Sequence, residues 1–533
     1  MTNILGQIRS LQDGGGQPVS LPSIPVIVVI LILVAATVLH MQYGFIGTPL
    51  SCHAIGFDDA YISYRYAENL ASGHGLVFNP GERVEGYSNF LYVVLIALLT
   101  RLTGAQPYAL SGVLNVGFLA LALWLFFSWC REELGGGWAS LGALLFALTP
   151  SFWLWGASGM ETALVLLTQI ALWVATERVV QRSGNMPLML LCTAILVSVL
   201  LRADGFLLPG VAVLYLLLSR KWKATFISGL VLFVATVSYF AWRYSYYGDF
   251  LPNTYYAKVS GPLLLRFEAA TIQLAIIVLA SGLGVYIVAM AIAAGRGVVR
   301  GLRGLGRPDF GSVLAAVILL YWFYIGGDHL GERFLLLLAP LGIFTISRVA
   351  AAGRLARRPL ATAVLILLAL QLHPVVTDSR FRYQQSKYDL WLELGEFLGQ
   401  QHPGETLAIG AVGKVPFASG LYTIDMLGLT DATLARRQAD EFTVPGHNKF
   451  DPAYVLSRRP DLIATWAQPD MDLFYGLTRE KTSAAGYRIR YLASSGRYSR
   501  EANILDVTGM SGEQLRELWK KNYRYAVLER VET

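Results

Sequence analysis

Two adjacent aspartates open a polar insert that reads Gly56-Phe-Asp58-Asp59-Ala-Tyr61-Ile-Ser-Tyr64-Arg65-Tyr66-Ala-Glu68-Asn69 and continues to Glu85-Gly86-Tyr87-Ser88-Asn89. Neighbouring carboxylates raise one another's pKa, or hold a divalent cation (Mg2+, Mn2+ or Ca2+) through oxygen ligands. Either outcome suits a transferase in which one carboxylate takes a proton from an acceptor hydroxyl and a cation neutralises a phosphate leaving group. Asp58 and Asp59 are therefore the catalytic and metal-ligand candidates. A plain alternative is that one of them caps the helix expected over residues 60–70 by accepting backbone N–H bonds.

Three further inserts carry ionisable residues: Arg202-Ala-Asp204-Gly, Gly248-Asp-Phe-Leu-Pro-Asn253-Thr-Tyr255-Tyr-Ala-Lys258, and Gly326-Gly-Asp328-His329-Leu-Gly-Glu-Arg333. Arg202, Lys258 and Arg333 are candidates for phosphate contacts. Against that, Arg202 and Asp204 can form a local ion pair, and Lys258 can snorkel to lipid headgroups. Arg65, Glu85, Tyr87, Asn253, Tyr255, Asp328 and His329 complete the expected substrate-binding set. Rings at Tyr61, Tyr64, Tyr66, Tyr87, Tyr255, Tyr256, Trp153 and Trp155 suit sugar stacking, and equally a membrane-interface belt. The string Gly410-Ala-Val-Gly-Lys414 lacks the spacing of a phosphate-binding loop and reads as a strand-to-turn glycine pair.

The elements that must position these groups follow from composition. Of 533 residues, 54% are hydrophobic and only 15% charged, with a mean hydropathy of +0.49; a soluble domain carries about 25% charge. An ordinary soluble enzyme is excluded. The net charge of +7 is modest for this length, and the excess cations mark loops, not a nucleic-acid footprint. Cys52, Cys130 and Cys192 show neither disulfide nor zinc spacing.

Basic clusters at Arg178/Arg182, Arg220/Lys221/Lys223, Arg296/Arg300/Arg303/Arg307 and Arg348/Arg354/Arg357/Arg358 are assigned to the cytoplasm by the positive-inside rule. The polar inserts between them then face outward. Parity allows one crossing between an outer Asp58-Asp59 and an inner Arg131. Residues 110–130 are long enough for it, whereas residues 89–100 make only about 18 Å of helix against a core of about 30 Å. That shorter run is read as an outer juxtamembrane or re-entrant helix.

The expected fold is a polytopic α-helical membrane protein of about eleven spans with outer juxtamembrane helices and a C-terminal extracytoplasmic α/β domain. Residues 1–23 are cytoplasmic, 24–377 form the membrane module with its first outer loop at 44–107, and 378–533 form the outer domain. In that tail charges return and apolar runs shorten, with strands expected at Thr406-Leu-Ala-Ile-Gly-Ala-Val and Asp461-Leu-Ile-Ala-Thr and a helix over residues 514–521. An uncleaved first span is read at residues 24–39.

Taken together, Asp58-Asp59-Ala-Tyr-Ile-Ser-Tyr-Arg-Tyr-Ala, Gly75-Leu-Val-Phe-Asn-Pro-Gly-Glu-Arg-Val-Glu-Gly-Tyr-Ser-Asn-Phe, Leu251-Pro-Asn-Thr-Tyr-Tyr-Ala-Lys258 and Gly326-Gly-Asp-His resemble the GT-C family of polyprenyl-phosphate-sugar-dependent glycosyltransferases. Asp425-Met-Leu-Gly-Leu-Thr-Asp431 and Ser457-Arg-Arg-Pro-Asp461 extend the resemblance into the tail. It is nearest the branch of terminal β-(1→2)-arabinofuranosyltransferases and the ZomB-like flagellar motor-control membrane proteins.

The resemblance implies a catalytic carboxylate in the first outer loop, at Asp58 or Asp59, and a donor-phosphate contact at Lys258. It also implies a lipid-linked donor that reaches the site from the bilayer. The expected activity is transfer of a sugar, D-arabinofuranose foremost, to a glycan, glycolipid or protein acceptor on the outer face of the bacterial cytoplasmic membrane. A non-enzymatic membrane regulator of the motor-control type, whose outer loops bind a protein partner, is the alternative.

Overall fold

The computed structural model describes residues 56–182, 184–259, 261–303, 307–354, 366–367, 369–370, 390–438, 448–494 and 503–531. The first apolar run at 24–39, Cys52, and the passage into the outer domain lie outside the described residues.

The membrane module is a helical bundle. It opens with α1 (Asp58–Ala71) and α2 (Phe90–Thr103), followed by α3 (Pro107–Leu134), α4 (Gly136–Ala147), α5 (Pro150–Gly156), α6 (Thr162–Gln181) and α7 (Asn185–Leu201). It continues through α8 (Leu207–Leu218), α9 (Trp222–Tyr247), α10 (Asn253–Lys258), α11 (Leu263–Ala280), α12 (Gly284–Leu302), α13 (Phe310–Ile325) and α14 (Leu338–Val349).

Six of the described helices are long and apolar enough to cross a membrane, or seven if α4 and α5, bent by 58° before Pro150, count as one span. The long helices are apolar all round, as lipid contact requires. On α3, Leu119, Phe126 and Trp129 pack inward while Val113, Leu121 and Trp124 are bare.

The ends of the bundle differ in chemistry. At one end Glu132 pairs with Arg178 at 2.5 Å and Arg182 at 3.3 Å, and Arg348 lies 3.6 Å from Asp309. The backbone N–H of Phe310 donates to Glu177 beside them. All four acidic inserts gather at the other end, the site end. Helix α11, although apolar and long, stays there: Arg266 donates to Tyr324 O at 2.7 Å and Gln273 Oε1 accepts the Asp328 N–H. Its last turn also meets Ser151, whose hydroxyl lies 3.3 Å from Ser281 O and 2.7 Å from Glu332. Leu264, Ile272, Ile276 and Leu279 on its free face are exposed. Length and hydropathy alone would count α11 as a crossing; its contacts lay it across the site end.

Above the site end, the tail forms a six-stranded sheet in the order β2-β1-β3-β6-β4-β5, from β1 (Thr406–Ile409), β2 (Tyr422–Asp425), β3 (Leu462–Trp466), β4 (Tyr487–Ser494), β5 (Ile504–Asp506) and β6 (Tyr523–Arg530). The strands β2-β1-β3 run parallel and the remainder antiparallel. The two expected strand segments become β1 and β3, and the expected last helix forms over Gly512–Lys520 with a Ser511/Gln514 capping box.

The sheet is not a loosely tethered appendage. Arg65, buried on α1, donates to Pro416 O at 2.6 Å and Leu421 O at 2.7 Å, and Phe417 packs edge-on against Tyr61 with centroids 5.3 Å apart. Asn253 Nδ2 is within hydrogen-bond reach of Gly428 O, Leu429 O and Asp431 O at 2.8 to 3.2 Å. Lys449 Nζ donates to Tyr256 O at 2.6 Å.

Candidate functional site

Helix α1 begins at Asp58, and Phe57 at its N-cap makes no side-chain cap bond. Asp58 does not spend its carboxylate on the expected capping role. The Asp58 carboxylate turns away from its own helix and accepts from Gly413 N–H at 3.1 Å and Lys414 N–H at 2.8 Å. The loop after β1 can come this close because residue 413 is glycine; a Cβ there would sit 1.9 Å from Asp58 O. Burial pushes the Asp58 carboxyl up to about 6, against the pull of the Lys414 N–H bond.

Asp59, one residue on, points elsewhere. Successive helical side chains diverge by about 100°, and its carboxylate lies 3.5 Å from Lys258 Nζ on α10. Two cavities meet at this pair. One, about 410 Å3, lies between the helices of the site end and takes in Arg202, Tyr255, Asp328 and Arg333. The other, about 330 Å3, lies against the carboxyl ends of the parallel strands. Asp59, Lys258, His329 and Leu429 line both.

Within the helix-side cavity the cations are already engaged. Arg202 pairs with Asp204 at 2.7 Å and Glu161 at 3.0 Å, and Tyr321 donates to Asp204 at 2.5 Å. Arg333 pairs with Asp328 at 2.5 Å. The expected local Arg202–Asp204 pair thus exists as part of a larger network. Asp59, Glu161, Asp204 and Asp328 stand against Arg202, Lys258 and Arg333, four carboxylates to three cations. An entering anion must therefore draw a cation from its carboxylate, and Lys258, at 3.5 Å, has the longest contact to give up. His329 is held neutral: burial and the Lys258 charge push it down to about 4.

Tyr87 also lines the helix-side cavity, its hydroxyl 3.0 Å from that of Tyr247. Tyr255 reaches Tyr324 at 3.3 Å. Three expected substrate contacts are placed elsewhere. Arg65 is consumed by carbonyls of the outer domain, with burial lowering it to about 10. Glu85 is buried against Arg243 at 2.8 Å, and burial outweighs that cation to push it up to about 7. Asn253 grips the 428–431 loop. In each case the polar side chain satisfies a buried partner far away in sequence, which an insert's composition does not reveal.

The expected divalent site at Asp58 and Asp59 does not fit either. The two carboxylates face different partners, and among the described residues no group of three or more His, Cys, Asp or Glu side chains stands close enough to hold an ion.

Glu161 is the carboxylate that the sequence reading passed over. It is buried, binds Arg202, and accepts from Asn89 at 2.8 Å. Its signal was available, since it ends the insert Gly156-Ala-Ser-Gly-Met-Glu161. Tyr321, inside an apolar helix, carries no such signal.

Together the helices and the sheet define a polytopic helical membrane protein, and its fold is similar to that of two solved structures. The crystal structure of ArnT from Cupriavidus metallidurans bound to undecaprenyl phosphate aligns with a TM-score of 0.56 at 12% identity, covering 95% of this chain and 98% of that one. An Archaeoglobus fulgidus oligosaccharyltransferase tethered to an acceptor peptide aligns at 0.50 and 11% identity, over 90% of this chain and 75% of its own. In sequence, the chain is 28% identical over 332 residues to the terminal β-(1→2)-arabinofuranosyltransferase of Mycobacterium tuberculosis; the match covers 54% of this chain. It spans about half, 52%, of that curated relative. Residues 377–530 match a domain of unknown function, DUF8728.

Proposed function

We propose that this protein transfers a sugar, D-arabinofuranose foremost, from a polyprenyl-phosphate donor to a glycan or glycoconjugate acceptor, with Asp59 as the catalytic base. The observation that carries the reading is the position of Asp59 and Lys258 on the wall shared by two cavities. The helix-side cavity suits the donor. Apolar and aromatic groups such as Leu251 and Tyr324 lead to it, so an isoprenoid tail can stay among the helices while its phosphate reaches Lys258. ArnT was crystallised with undecaprenyl phosphate, and the arabinofuranosyl identity rests on the mycobacterial relative.

In the step, the acceptor hydroxyl gives its proton to the Asp59 carboxylate as its oxygen bonds to the anomeric carbon. The bond from that carbon to the phosphate oxygen breaks, and the electron pair leaves with polyprenyl phosphate. Protonation removes the counter-charge of Lys258, which is then free to neutralise the departing phosphate. The Arg202–Glu161–Asp204 and Arg333–Asp328 pairs hold the cavity wall in place. The topology that accompanies this reading is about eleven spans, with the site end and the sheet on the extracytoplasmic side of a bacterial cytoplasmic membrane. Purified protein supplied with polyprenyl-phosphoryl arabinofuranose and arabinan oligosaccharides is expected to release polyprenyl phosphate in step with acceptor elongation. Absence of both products across a panel of neutral glycans refutes the assignment.

A further inference from the structure

Thr465, on β3, is one of the residues that line the sheet-side cavity, and its buried hydroxyl has no hydrogen-bond partner among the described residues. A buried hydroxyl left unpaired is unfavourable, so its presence points to a partner that comes from outside the chain. The surroundings say what kind. The cavity opens at the carboxyl ends of the parallel strands β1, β2 and β3, where open α/β sheets receive ligands. One wall is a set of rings: Trp391, Trp466 and Tyr525 stand edge to face with centroids 4.5 to 5.6 Å apart.

Tyr475 supplies the opposite ring from a strained loop. Its φ is 61° and that of Met471 is 69°, backbone that bulky residues seldom adopt. The Tyr475 ring crosses Gly410, where a Cβ would meet it at 2.8 Å. The strain therefore has a visible product, a ring set over the cavity. The four rings and Thr465 carry no formal charge; of the charged lining residues, Asp58 is taken up by the Gly413 and Lys414 N–H groups and Asp59 stands beside Lys258, with Lys414 Nζ over the Tyr61 ring.

We propose that this cavity is the acceptor site and that it selects the uncharged end of a glycan. A sugar hydroxyl pairs with Thr465 Oγ1 and a sugar face lies on the Tyr475 ring, which holds the attacking hydroxyl at Asp59. The proposal rests on the transferase reading above and adds the acceptor's chemical class and the residues that choose it.

The test uses full-length protein in nanodiscs and a neutral arabinofuranosyl tetrasaccharide as probe, with binding measured calorimetrically in the absence of donor. Thr465→Val keeps the side chain's shape and loses no internal bond. It is expected to raise the tetrasaccharide Kd about three- to tenfold, with Thr465→Ser restoring it. Tyr475→Ala is expected to raise it about tenfold or more. The Kd for decaprenyl phosphate is expected to stay at the wild-type value in all three. A tetrasaccharide that does not bind wild-type protein, or binds all variants equally, overturns the proposal. Should it bind with the expected pattern while no transfer from polyprenyl-phosphoryl arabinofuranose occurs, the site stands and the transferase reading fails. Transfer that proceeds with the acceptor KM unmoved by these substitutions overturns the site alone.

Discussion

Asp59 Oδ2 lies 3.5 Å from Lys258 Nζ, and the pair sits on the wall that the helix-side and sheet-side cavities share, with His329 and Leu429 beside it. Its chain neighbour Asp58 faces the β1 loop instead. A sequence motif of two adjacent acids thus divides into one group on the shared cavity wall and one that holds the loop after β1.

That division predicts different losses from the same chemical change. Asp59→Asn is expected to lower transfer about a hundred- to ten-thousandfold, the range for removing a positioned general base, with an unchanged melting temperature in detergent. Asp58→Asn is expected to keep far more activity. Equal turnover in wild type and Asp59→Asn would show that the base is another group.

Lys258→Ala removes the charge assigned to the leaving phosphate. The Kd of polyprenyl phosphate is expected to rise about tenfold or more, as for loss of a charge-assisted hydrogen bond, while the Kd of a neutral acceptor oligosaccharide moves less. An unchanged lipid-phosphate Kd contradicts the role.

The Asp58 carboxyl, raised from 3.8 to about 6 by burial, links docking to pH. Between these values the folded protein binds the proton and the unfolded chain does not, so the stability from this group is full below about 4 and is lost as pH rises through about 6. Melting curves from pH 4 to 7 are expected to show wild type falling relative to Asp58→Asn, by about 1 °C for each kcal/mol lost in a chain of this length. Parallel curves would mean that Asp58 does not titrate in this window.

Glu85 and Arg243 form a pair whose side chains are 2% and 0% exposed, with the guanidinium also 4.4 Å over the Tyr239 ring. Arg243→Met strands a buried carboxylate and is expected to cost about 3–5 kcal/mol, read as a fall of about 3–5 °C in melting temperature. Adding Glu85→Gln should recover most of it. Transfer per folded molecule is expected to stay near wild type, because neither side chain lines the helix-side or the sheet-side cavity. Loss of activity without loss of stability would return Glu85 to the site.

Hydropathy and residue type determined much from the sequence alone. The apolar runs announced a helical membrane module, the acidic inserts announced the site end, and Thr406-Leu-Ala-Ile announced a strand, because each is a local property of a few consecutive residues. Lys258, Arg202, Asp328 and Arg333, from three separate inserts, line one cavity.

What only tertiary structure decided is the direction each side chain takes. Asp58 and Asp59 have the same chemistry and adjacent positions; helix phase, set by packing of Tyr61 and Arg65 against the outer domain, turns one toward Gly413 and the other toward Lys258. Glu85 and Arg65, expected among the substrate contacts, are claimed by Arg243 and by the carbonyls of Pro416 and Leu421, partners more than a hundred residues away. The lone hydroxyl of Thr465 was hidden for the same reason. A buried polar group is defined by what surrounds it, and that is settled only when distant segments pack.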